Sequence, residues 1–486
     1  MSAVMQPAPA LRSTDTLHAQ AAEIARVFAR QQQHAIRLRS STAAERKARI
    51  QRLLDVVEAH RAEIYKAMYA DFKKPEPEVD IGEIASLISE GKHAVRAVKK
   101  WMRPQHIMPT QMTFGTRSHI RYEPKGVALI IAPWNYPINL LFTPLISALA
   151  AGCTAILKPS EMTPNTAAVA RKIVQEAFSE EEVALFEGDA QTTQQLLAHP
   201  FDHVFFTGSP AVGKIVMAAA AKHLTSVTLE LGGKSPVIID ASADIPNAAR
   251  SVAFGKFANN GQTCIAPDYI YVEESVRDKF VSELKAAVEK SYGDAQNQGT
   301  TPDYARIVNS RHHARVKGLL DDATARGAKV EFGGVARSED NFIAPTAVTG
   351  VNKDMKIMQE EIFGPLLPII PFRDVQEAID HVNAGPKPLA LYVYSRNNRQ
   401  IKRVIENTSA GGSCINTCLV QYLHGNLPFG GVNNSGIGNA HGFYGFKAFS
   451  HERAVVRDLF AATQLLMPPY TGFVRWLIKF LIRFST

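Results

Sequence analysis

Short, continuously apolar runs alternate with amphipathic stretches from residue 127 onward. Five of the runs are candidate strands: Val127–Ala132, Thr154–Leu157, Val183–Phe186, His203–Phe206 and Val227–Leu231. Between these runs lie segments with a helical pattern, around 138–150, 165–178, 191–199 and 210–222. The alternation resumes after Pro236, with further strands predicted at Val237–Ile239, Tyr269–Val272 and Leu391–Tyr394. Apolar strands separated by helices indicate parallel sheets covered on both faces, so two α/β units are expected, with a break near Gly232 and Gly233.

The segment before this alternation has a different pattern. The first hundred residues or so have helical periodicity, and Thr42-Ala43-Ala44-Glu45 is a capping-box sequence. Residues 104–125 are polar and β-branched and lie between two prolines, so they fit neither unit and are expected to form an extended arm.

Composition narrows the class of protein. With 486 residues, 46% hydrophobic and 21% charged, the chain is expected to be globular and to contain two or three domains. The net charge of +8 comes without any basic run interleaved with aromatics, which argues against a nucleic-acid partner. Four cysteines are too few for a disulfide framework, and neither a secretion signal nor a membrane-spanning run is present. A cytoplasmic protein with reduced thiols is expected.

Two residues offer complementary chemistry. Cys264 follows the polar stretch Asn259–Thr263, which favours an exposed, reactive thiol over the usual small buried hydrophobe. Glu230 ends an apolar strand just before Gly232, where open α/β sheets bind ligands, although a surface carboxylate at a domain boundary is equally compatible. A thiol nucleophile and a carboxylate base would together make and hydrolyse a thioester.

Three other strand ends carry candidate ligand contacts. Asn135 in Pro-Trp-Asn-Tyr-Pro could donate to an oxyanion, or could simply be a turn residue. Lys158 and Glu161 could bind ribose hydroxyls, or could belong to a capped helix entry. Gly208 and Gly213 flank a strand-to-helix turn that would admit a pyrophosphate, although an ordinary βα turn has the same form.

The order of these motifs is more specific than any one of them. PWNYP, KPSE, FTGS, ELGGKSP, GQTC, EIFGP and PFGG follow one another between residues 133 and 431. This series closely resembles the NAD(P)-dependent aldehyde dehydrogenase superfamily, over about residues 40–455. The ending 427–436, with His441-Gly442 and Phe449-Ser450-His451, is most similar to the class 3 or fatty aldehyde dehydrogenase branch.

The resemblance implies a fold and a division of the chain. It implies a Rossmann-like dinucleotide-binding domain, a second α/β catalytic domain and a small β-arm for oligomerisation. The expected ranges are 1–103 and 126–233 for NAD binding, 234–414 for catalysis, 104–125 and 415–455 for the arm, and 456–486 for the tail. A homodimer in which the arm extends a sheet of the neighbour is expected.

The resemblance also implies residue roles. Cys264 would attack the aldehyde, Asn135 and the Cys264 backbone N–H would hold the oxyanion, and Glu230 would activate the hydrolytic water. The cofactor-binding set would comprise Lys158, Glu161, Gly208, Ser209, Gly213, Glu361 and Phe363. Glu161 near a ribose 2′-hydroxyl would repel a 2′-phosphate, so NAD is expected, with NADP possible. No metal site is expected, since no Cys or His pair completes one with Cys414 and Cys418.

The tail carries a separate signal. In residues 473–484, Arg475, Lys479 and Arg483 recur every fourth position among large apolar residues. Such a helix is too short to span a bilayer but would suit the surface of an anionic membrane, or could dock on protein. Membrane contact would make medium- or long-chain aliphatic aldehydes plausible substrates.

Two alternative functions are considered. One is a CoA-acylating aldehyde dehydrogenase, which would not need Glu230 to activate water. The other is a catalytically silent membrane-associated scaffold protein.

Overall fold

Two mainly parallel sheets, a three-stranded antiparallel sheet and a two-stranded antiparallel one organise the chain in a computed structural model, which describes residues 14–110, 113–295, 297–460 and 462–484. The helices are α1 Thr14–Leu38, α2 Ala43–Ala59, α3 Arg61–Phe72, α4 Glu76–Val79, α5 Ser86–Trp101, α6 Asn139–Ala151, α7 Pro164–Ala177, α8 Ala190–Leu197, α9 Pro210–Ala221, α10 Ile245–Phe257, α11 Arg277–Tyr292, α12 Ser310–Ala325, α13 Lys356–Gln359, α14 Val375–Ala384, α15 Asn398–Asn407, α16 Gly442–Ala448 and α17 Gly472–Phe484. The strands are β1 Gln105–Ile107, β2 Thr116–Pro124, β3 Val127–Ile131, β4 Thr154–Lys158, β5 Val183–Leu185, β6 His203–Gly208, β7 Ser226–Leu231, β8 Ser235–Ile239, β9 Pro267–Glu273, β10 Lys329–Phe332, β11 Ala336–Arg337, β12 Phe342–Ile343, β13 Thr346–Thr349, β14 Leu366–Phe372, β15 Ala390–Tyr394, β16 Gly412–Ile415, β17 Gly436–Ile437 and β18 Ser450–Asp458.

The first sheet has the order β17-β7-β6-β3-β4-β5. Strands β3 to β7 are parallel, and only β17 runs antiparallel, against β7. Every residue of β3 and β4 is buried, as the continuous apolar runs predicted. Helices between successive strands cover the sheet, so the α/β prediction is confirmed for this unit.

The second sheet has the order β10-β13-β14-β9-β8-β15-β16, with only β10 antiparallel. Its central strands β8, β9 and β15 are the three strands predicted after Pro236. Residues 258–266, which include Cys264, connect α10 to β9 and therefore lie at the end of this sheet.

The antiparallel sheet joins distant parts of the chain. Strand β2 lies between β1 and β18, and it pairs with β18 over nine residues from Ser450 opposite Pro124 to Asp458 opposite Thr116. Side chains of β18 are mostly exposed. Within the polar segment, Gln105–Ile107 and Thr116–Pro124 are therefore strands that lie outside the two larger sheets.

The helical region before the sheets contains the predicted capping box. Thr42 Oγ1 accepts the N–H of Glu45 at 3.3 Å, and the Glu45 carboxylate accepts the N–H of Thr42 at 2.5 Å. Between α4 and α5 the chain forms a π-helix over Asp80–Ala85, an irregularity often found at functional sites.

The register of the first sheet gathers several predicted site residues. Thr207 of β6 lies opposite Glu230 of β7, and Ile131 of β3 lies opposite Lys158 of β4. Because β4, β3, β6 and β7 are neighbours and parallel, their carboxyl ends share one edge. Open α/β sheets bind ligands at this edge.

Candidate active site

The loop that carries Cys264 has an unusual backbone. Asn259, Asn260 and Gly261 adopt left-handed conformations in succession, with φ of 53°, 55° and 72°. Gln262 is fully buried and holds the loop: its amide nitrogen donates to the carbonyls of Asn259 at 2.9 Å and Arg306 at 3.0 Å. The path of the loop is thus fixed by contacts on both sides of Gly261.

Cys264 lies where two cavities meet. The larger is mainly apolar and includes Ile81, Gly82, Tyr136, Leu140, Phe254, Leu419 and Leu423 in its wall. The smaller includes Thr207, Glu230, Leu231, Leu389, Phe429 and His441. Cys264, Leu140 and Tyr422 line both cavities, so the thiol can be approached from two sides.

Glu230, near the end of β7, lines the smaller of the two cavities together with Cys264. Its side chain is buried, and neither carboxylate oxygen has a hydrogen-bond partner within the described ranges. Burial raises the pKa of Glu230 well above its ordinary value. A buried carboxyl group without partners is well suited to accept a proton from a molecule that enters the cavity.

The Cys264 thiol differs from the exposed, reactive group expected from its polar neighbours. It is half-buried, and burial, followed by the nearby Glu361 and Glu230 carboxylates, raises its pKa to about 12. The protein alone therefore holds the group as a thiol. A cationic group bound in the smaller cavity would lower this pKa and favour the thiolate.

Asn135 lies against the Cys264 loop. Its buried amide nitrogen donates to the carbonyl of Gln262 at 2.9 Å, and its backbone carbonyl accepts from the Asn259 amide at 3.0 Å. An amide nitrogen carries two hydrogens, and this bond uses one of them; Asn135 itself is not among the residues that line either cavity. The next residue, Tyr136, shares a 2.8 Å hydrogen bond with the hydroxyl of Thr263.

Lys158 and Glu161 lie together at the end of β4. Lys158 Nζ donates to the Pro159 carbonyl at 2.8 Å and lies 3.5 Å from Glu161 Oε2. The Lys158 side chain is only 3% exposed, whereas that of Glu161 is 48% exposed. The pair thus presents a carboxylate to solvent beside a buried cation.

The turn after β6 is shaped by Ser209 and two glycines. Ser209 caps α9, with its hydroxyl accepting the N–H of Val212 at 3.4 Å. A Cβ at Gly213 would lie 2.8 Å from a methyl carbon of Leu231, so a larger residue here would have to displace the Leu231 side chain. Pro210 has no N–H, and the N–H groups of Val212 and Gly213 are both bonded to Ser209, so the positive end of the helix dipole is what favours an anionic ligand here.

Glu361 and Phe363 lie in the second unit, in the loop between α13 and β14. A Cβ at Gly232 would overlap the Glu361 carboxylate, so that carboxylate lies directly against the link between the two sheets. Burial and the neighbouring Asp268 raise the pKa of Glu361 to about 8. The Phe363 ring packs edge-on against Trp134, with centroids 5.4 Å apart.

Two charged residues in the wall of the larger cavity were not predicted. Lys74 and Glu78 contribute to the same cavity from a region predicted only as helical. Nothing in their spacing distinguishes them from surface charges; only the three-dimensional structure identifies them.

The other cysteines have structural surroundings. Cys153, Cys414 and Cys418 are buried. Within the described ranges, no group of three His, Cys, Asp or Glu side chains could hold a metal ion.

Comparisons with known proteins agree with this arrangement. The model of the aldehyde dehydrogenase family matches residues 2–455. The 4,4'-diaponeurosporen-aldehyde dehydrogenase of Staphylococcus aureus is 43% identical, with 90% of this chain and 94% of the relative aligned. Aldehyde dehydrogenase family 3 member A2 of Mus musculus is 43% identical over 85% of this chain and 84% of its own. The solved structure described as the substrate-bound state of Staphylococcus aureus AldH is 41% identical, with a TM-score of 0.90 over 94% of this chain and 99% of that one.

These matches span most of both chains, and class 3 members are among the relatives. The residues at the edge of the first sheet fit a dinucleotide, since they combine a helix N-terminus, close-packed glycines and an exposed carboxylate. The chain belongs to the aldehyde dehydrogenase family and is an NAD(P)-dependent aldehyde dehydrogenase.

Proposed function

We propose that the chain oxidises a medium- or long-chain aliphatic aldehyde to the carboxylic acid with NAD(P)⁺, through a thioester on Cys264 that Glu230-activated water hydrolyses. The observation that carries this proposal is the shared cavity of the Cys264 thiol and the partnerless Glu230 carboxyl. The order of events follows from what each group can do.

Cys264 acts first. Its thiol first loses its proton to solvent water, and the thiolate sulfur then bonds to the aldehyde carbon while the carbonyl π electrons move to oxygen to give a thiohemiacetal oxyanion. The second N–H of Asn135 and the backbone N–H of Cys264 donate to that oxygen. The nicotinamide supplies the hydride acceptor. As the C–H bond breaks and the carbonyl re-forms, the acyl group remains on Cys264 as a thioester.

Glu230 acts second. Its ionised carboxylate takes a proton from a water molecule as the water oxygen attacks the thioester carbon. The C–S bond then breaks, releasing the carboxylic acid and returning the sulfur of Cys264. The same burial that raises the pKa of Glu230 makes it a stronger base once ionised.

The cofactor residues divide between the two units. We assign Lys158 and Glu161 to the adenosine ribose and Ser209, in the turn formed by Gly208 and Gly213, to the pyrophosphate. Glu361 would hold the nicotinamide ribose, with Phe363 packed nearby. Because the Glu161 carboxylate is half-exposed at the strand end, it would repel a 2′-phosphate, and we therefore propose a preference for NAD.

The shape of the larger cavity supports the substrate class. Its apolar wall leads to Cys264, and Ile81, Phe254 and Leu423 are each more than half exposed at 56%, 53% and 57%. An alkyl chain entering past these residues loses its contact with water along its length, which stabilises binding by about 0.8 kcal/mol for each buried CH₂ group.

The tail supports a membrane location. Helix α17 exposes Phe473, Trp476 and Ile482 at 61%, 58% and 66%, and carries Arg475 and Lys479. At ~1.5 Å per residue, its 13 residues extend about 20 Å. No helix in the described part of the chain is long and apolar enough to cross a bilayer. We propose that α17 lies in the surface of an anionic membrane, on its cytoplasmic side.

The antiparallel sheet supports a homodimer. Strand β18 pairs with β2 along one side, and Val456 on β18 is 60% exposed. A long strand at the edge of a sheet is a template for pairing with another chain. We propose that the arm of each subunit extends a sheet of its partner.

The aldehyde panel tests the catalytic proposal. The protein is mixed with NAD and short, aromatic and long-chain aldehydes, and NADH absorbance is followed, with Cys264→Ala as the control. We expect turnover without CoA, the highest kcat/KM for long chains, and none in the Cys264 variant. Turnover that requires CoA would refute hydrolysis by Glu230, and a preference for short aldehydes would refute the substrate class.

Vesicle binding tests the tail. We expect the full chain to sediment with anionic vesicles but not with neutral ones, and a chain that ends at residue 470 to remain in solution. Arg475→Gln/Lys479→Gln should weaken binding and make it less sensitive to salt. Equal binding by the shortened chain would refute the membrane role of α17.

A further inference from the structure

A buried ion pair lies directly behind Asn135. The side chains of Lys74 and Glu83 have no exposed surface, and Lys74 Nζ lies 2.9 Å from Glu83 Oε1. Glu83 belongs to the π-helix that borders the larger cavity. Replacing a buried pair of this kind with apolar residues is often neutral or stabilising, so folding stability alone gives little reason for it. Its contacts indicate another role.

The pair holds both ends of the segment that contains Asn135. Lys74 Nζ donates to the Asn135 carbonyl at 3.4 Å and stands 3.8 Å from the centre of the Tyr136 ring. Glu83 Oε2 accepts the backbone N–H groups of Ile138 and Asn139 at 3.2 and 2.9 Å, where α6 begins. A carboxylate at a helix N-terminus is favoured by the helix dipole, so this attachment is strong as well as buried.

A second carboxylate from the same short stretch holds the opposite side. Glu78 Oε2 accepts the backbone N–H of Asn259 at 2.8 Å. The Asn259 amide in turn donates to the carbonyls of Asn135 at 3.0 Å and Gln262 at 3.1 Å. The Asn135 segment and the Cys264 loop are therefore both fixed to residues 74–83.

We propose that Lys74 and Glu83 are positioning residues that set the Asn135 amide against the Cys264 loop, so that its second N–H points at the oxyanion. The inference rests on the proposed role of Asn135. The ion pair touches no reacting atom; it acts by fixing the carbonyl of Asn135 and the start of α6. A displacement of about 1 Å in such a group can slow the chemical step by about 10²-fold.

The double variant Lys74→Met/Glu83→Gln tests this role. It removes both charges at nearly constant volume, and the glutamine oxygen can still accept from Ile138 and Asn139. We expect the pre-steady-state rate constant of NADH formation at saturating aldehyde to fall tenfold to a hundredfold. Because Lys74 also lines the larger cavity, the aldehyde KM is compared in Glu83→Asp, which keeps Lys74 and should change KM less than twofold. The exposed pair Lys402–Glu406 supplies the control, since Lys402→Met/Glu406→Gln removes the same kinds of group from the surface.

Normalising to folded, cofactor-binding protein separates positioning from loss of fold. Should the double variant fail to fold, Glu83→Asp keeps the charge, shortens its reach by one methylene, and is expected to slow the same step. An unchanged rate constant in whichever variant folds would overturn the proposal.

A double-mutant cycle with Asn135→Ala is the decisive comparison. If the ion pair acts through Asn135, removing it in the Asn135→Ala background should slow NADH formation by less than twofold, although it slows the parent at least tenfold. Equal slowing in both backgrounds would overturn the inference and leave the catalytic proposal intact. An Asn135→Ala protein with the parent's rate constant would instead refute the oxyanion role itself, and the inference with it.

Discussion

Glu230→Gln should separate acylation of Cys264 from hydrolysis. The carboxylate oxygens of Glu230 have no partners in the described part of the chain, so an isosteric amide breaks no native hydrogen bond. The variant should fold and bind NAD. We expect a rapid burst of one NADH for each Cys264, followed by slow turnover. The acyl-enzyme accumulates because no base activates the water that would hydrolyse the thioester.

The size of the effect follows from the lining of the smaller cavity. A positioned general base contributes about 10²–10⁴-fold to a rate. The lining of that cavity contains four titratable residues, Glu230, Cys264, Tyr422 and His441. Glu230 is the only carboxylic acid among them. We therefore expect a steady-state rate reduced by about 10³-fold, with any residual rate depending on a much weaker base.

The raised pKa of Glu230 adds a dependence on pH. Only the ionised group can take a proton from water, so hydrolysis in the parent should accelerate as pH rises through that pKa, and the variant should lack this rise. The free energy of unfolding of the parent changes with pH in the opposite direction and falls as pH rises. The folded state retains the Glu230 proton at pH values where the unfolded chain has lost it. The folded parent is thus destabilised by about 1.4 kcal/mol for each pH unit across that interval. The variant's Tm relative to the parent should therefore increase with pH.

Stopped-flow absorbance gives the burst and the following rate, and mass spectrometry of the quenched protein detects the acyl adduct. Cys264→Ala, which can form no adduct, is the negative control. Parent-like turnover in Glu230→Gln would refute its role as base. Loss of the burst with NAD still bound would show that Glu230 is needed before the thioester forms.

Three other substitutions test the geometry of the site. Gly232→Ala should displace Glu361 and raise KM for NAD more than it lowers kcat, because its Cβ would overlap that carboxylate; steady-state kinetics with varied NAD measures this. Gly261→Ala places a Cβ against the Gly364 carbonyl at φ +72° and should cost about 1–3 kcal/mol, lowering Tm and the burst rate; near-parent values would contradict the strain argument. Glu161→Gln should raise the NADP-to-NAD ratio of kcat/KM roughly fivefold, as expected from about 1 kcal/mol of repulsion at an exposed site; an unchanged ratio would remove Glu161 from cofactor choice.

The parallel sheets were predictable because burial on both faces makes their strands continuously apolar. Val127–Ile131 and Thr154–Lys158 differ from the predicted runs by one residue each. The Asn-Asn-Gly stretch before Cys264 also carries a signal, since these residue types tolerate left-handed backbone best. Pairing of Gly436 with Glu230 was not predictable, because β17 has only two residues and depends on a contact across 206 positions.

The sequence did not predict which ionisable groups are buried. Lys74 and Glu83 look like ordinary surface residues of a helical region, yet both are fully buried. The polar neighbours of Cys264 indicated an exposed thiol, but in the fold two carboxylates and low exposure oppose its ionisation. In each case the deciding groups are distant in the sequence, so local pattern contains no trace of them.

The position of Cys264 between two cavities has a consequence for inhibition. An electrophile carried on an alkyl chain can reach the sulfur through the larger cavity while the smaller one stays filled. Under the proposed function, such a compound would compete with aldehyde, and its selectivity would be set by Ile81, Phe254 and Leu423 in the cavity wall. A reagent built to enter the smaller cavity would instead approach the same sulfur from the side of Glu230.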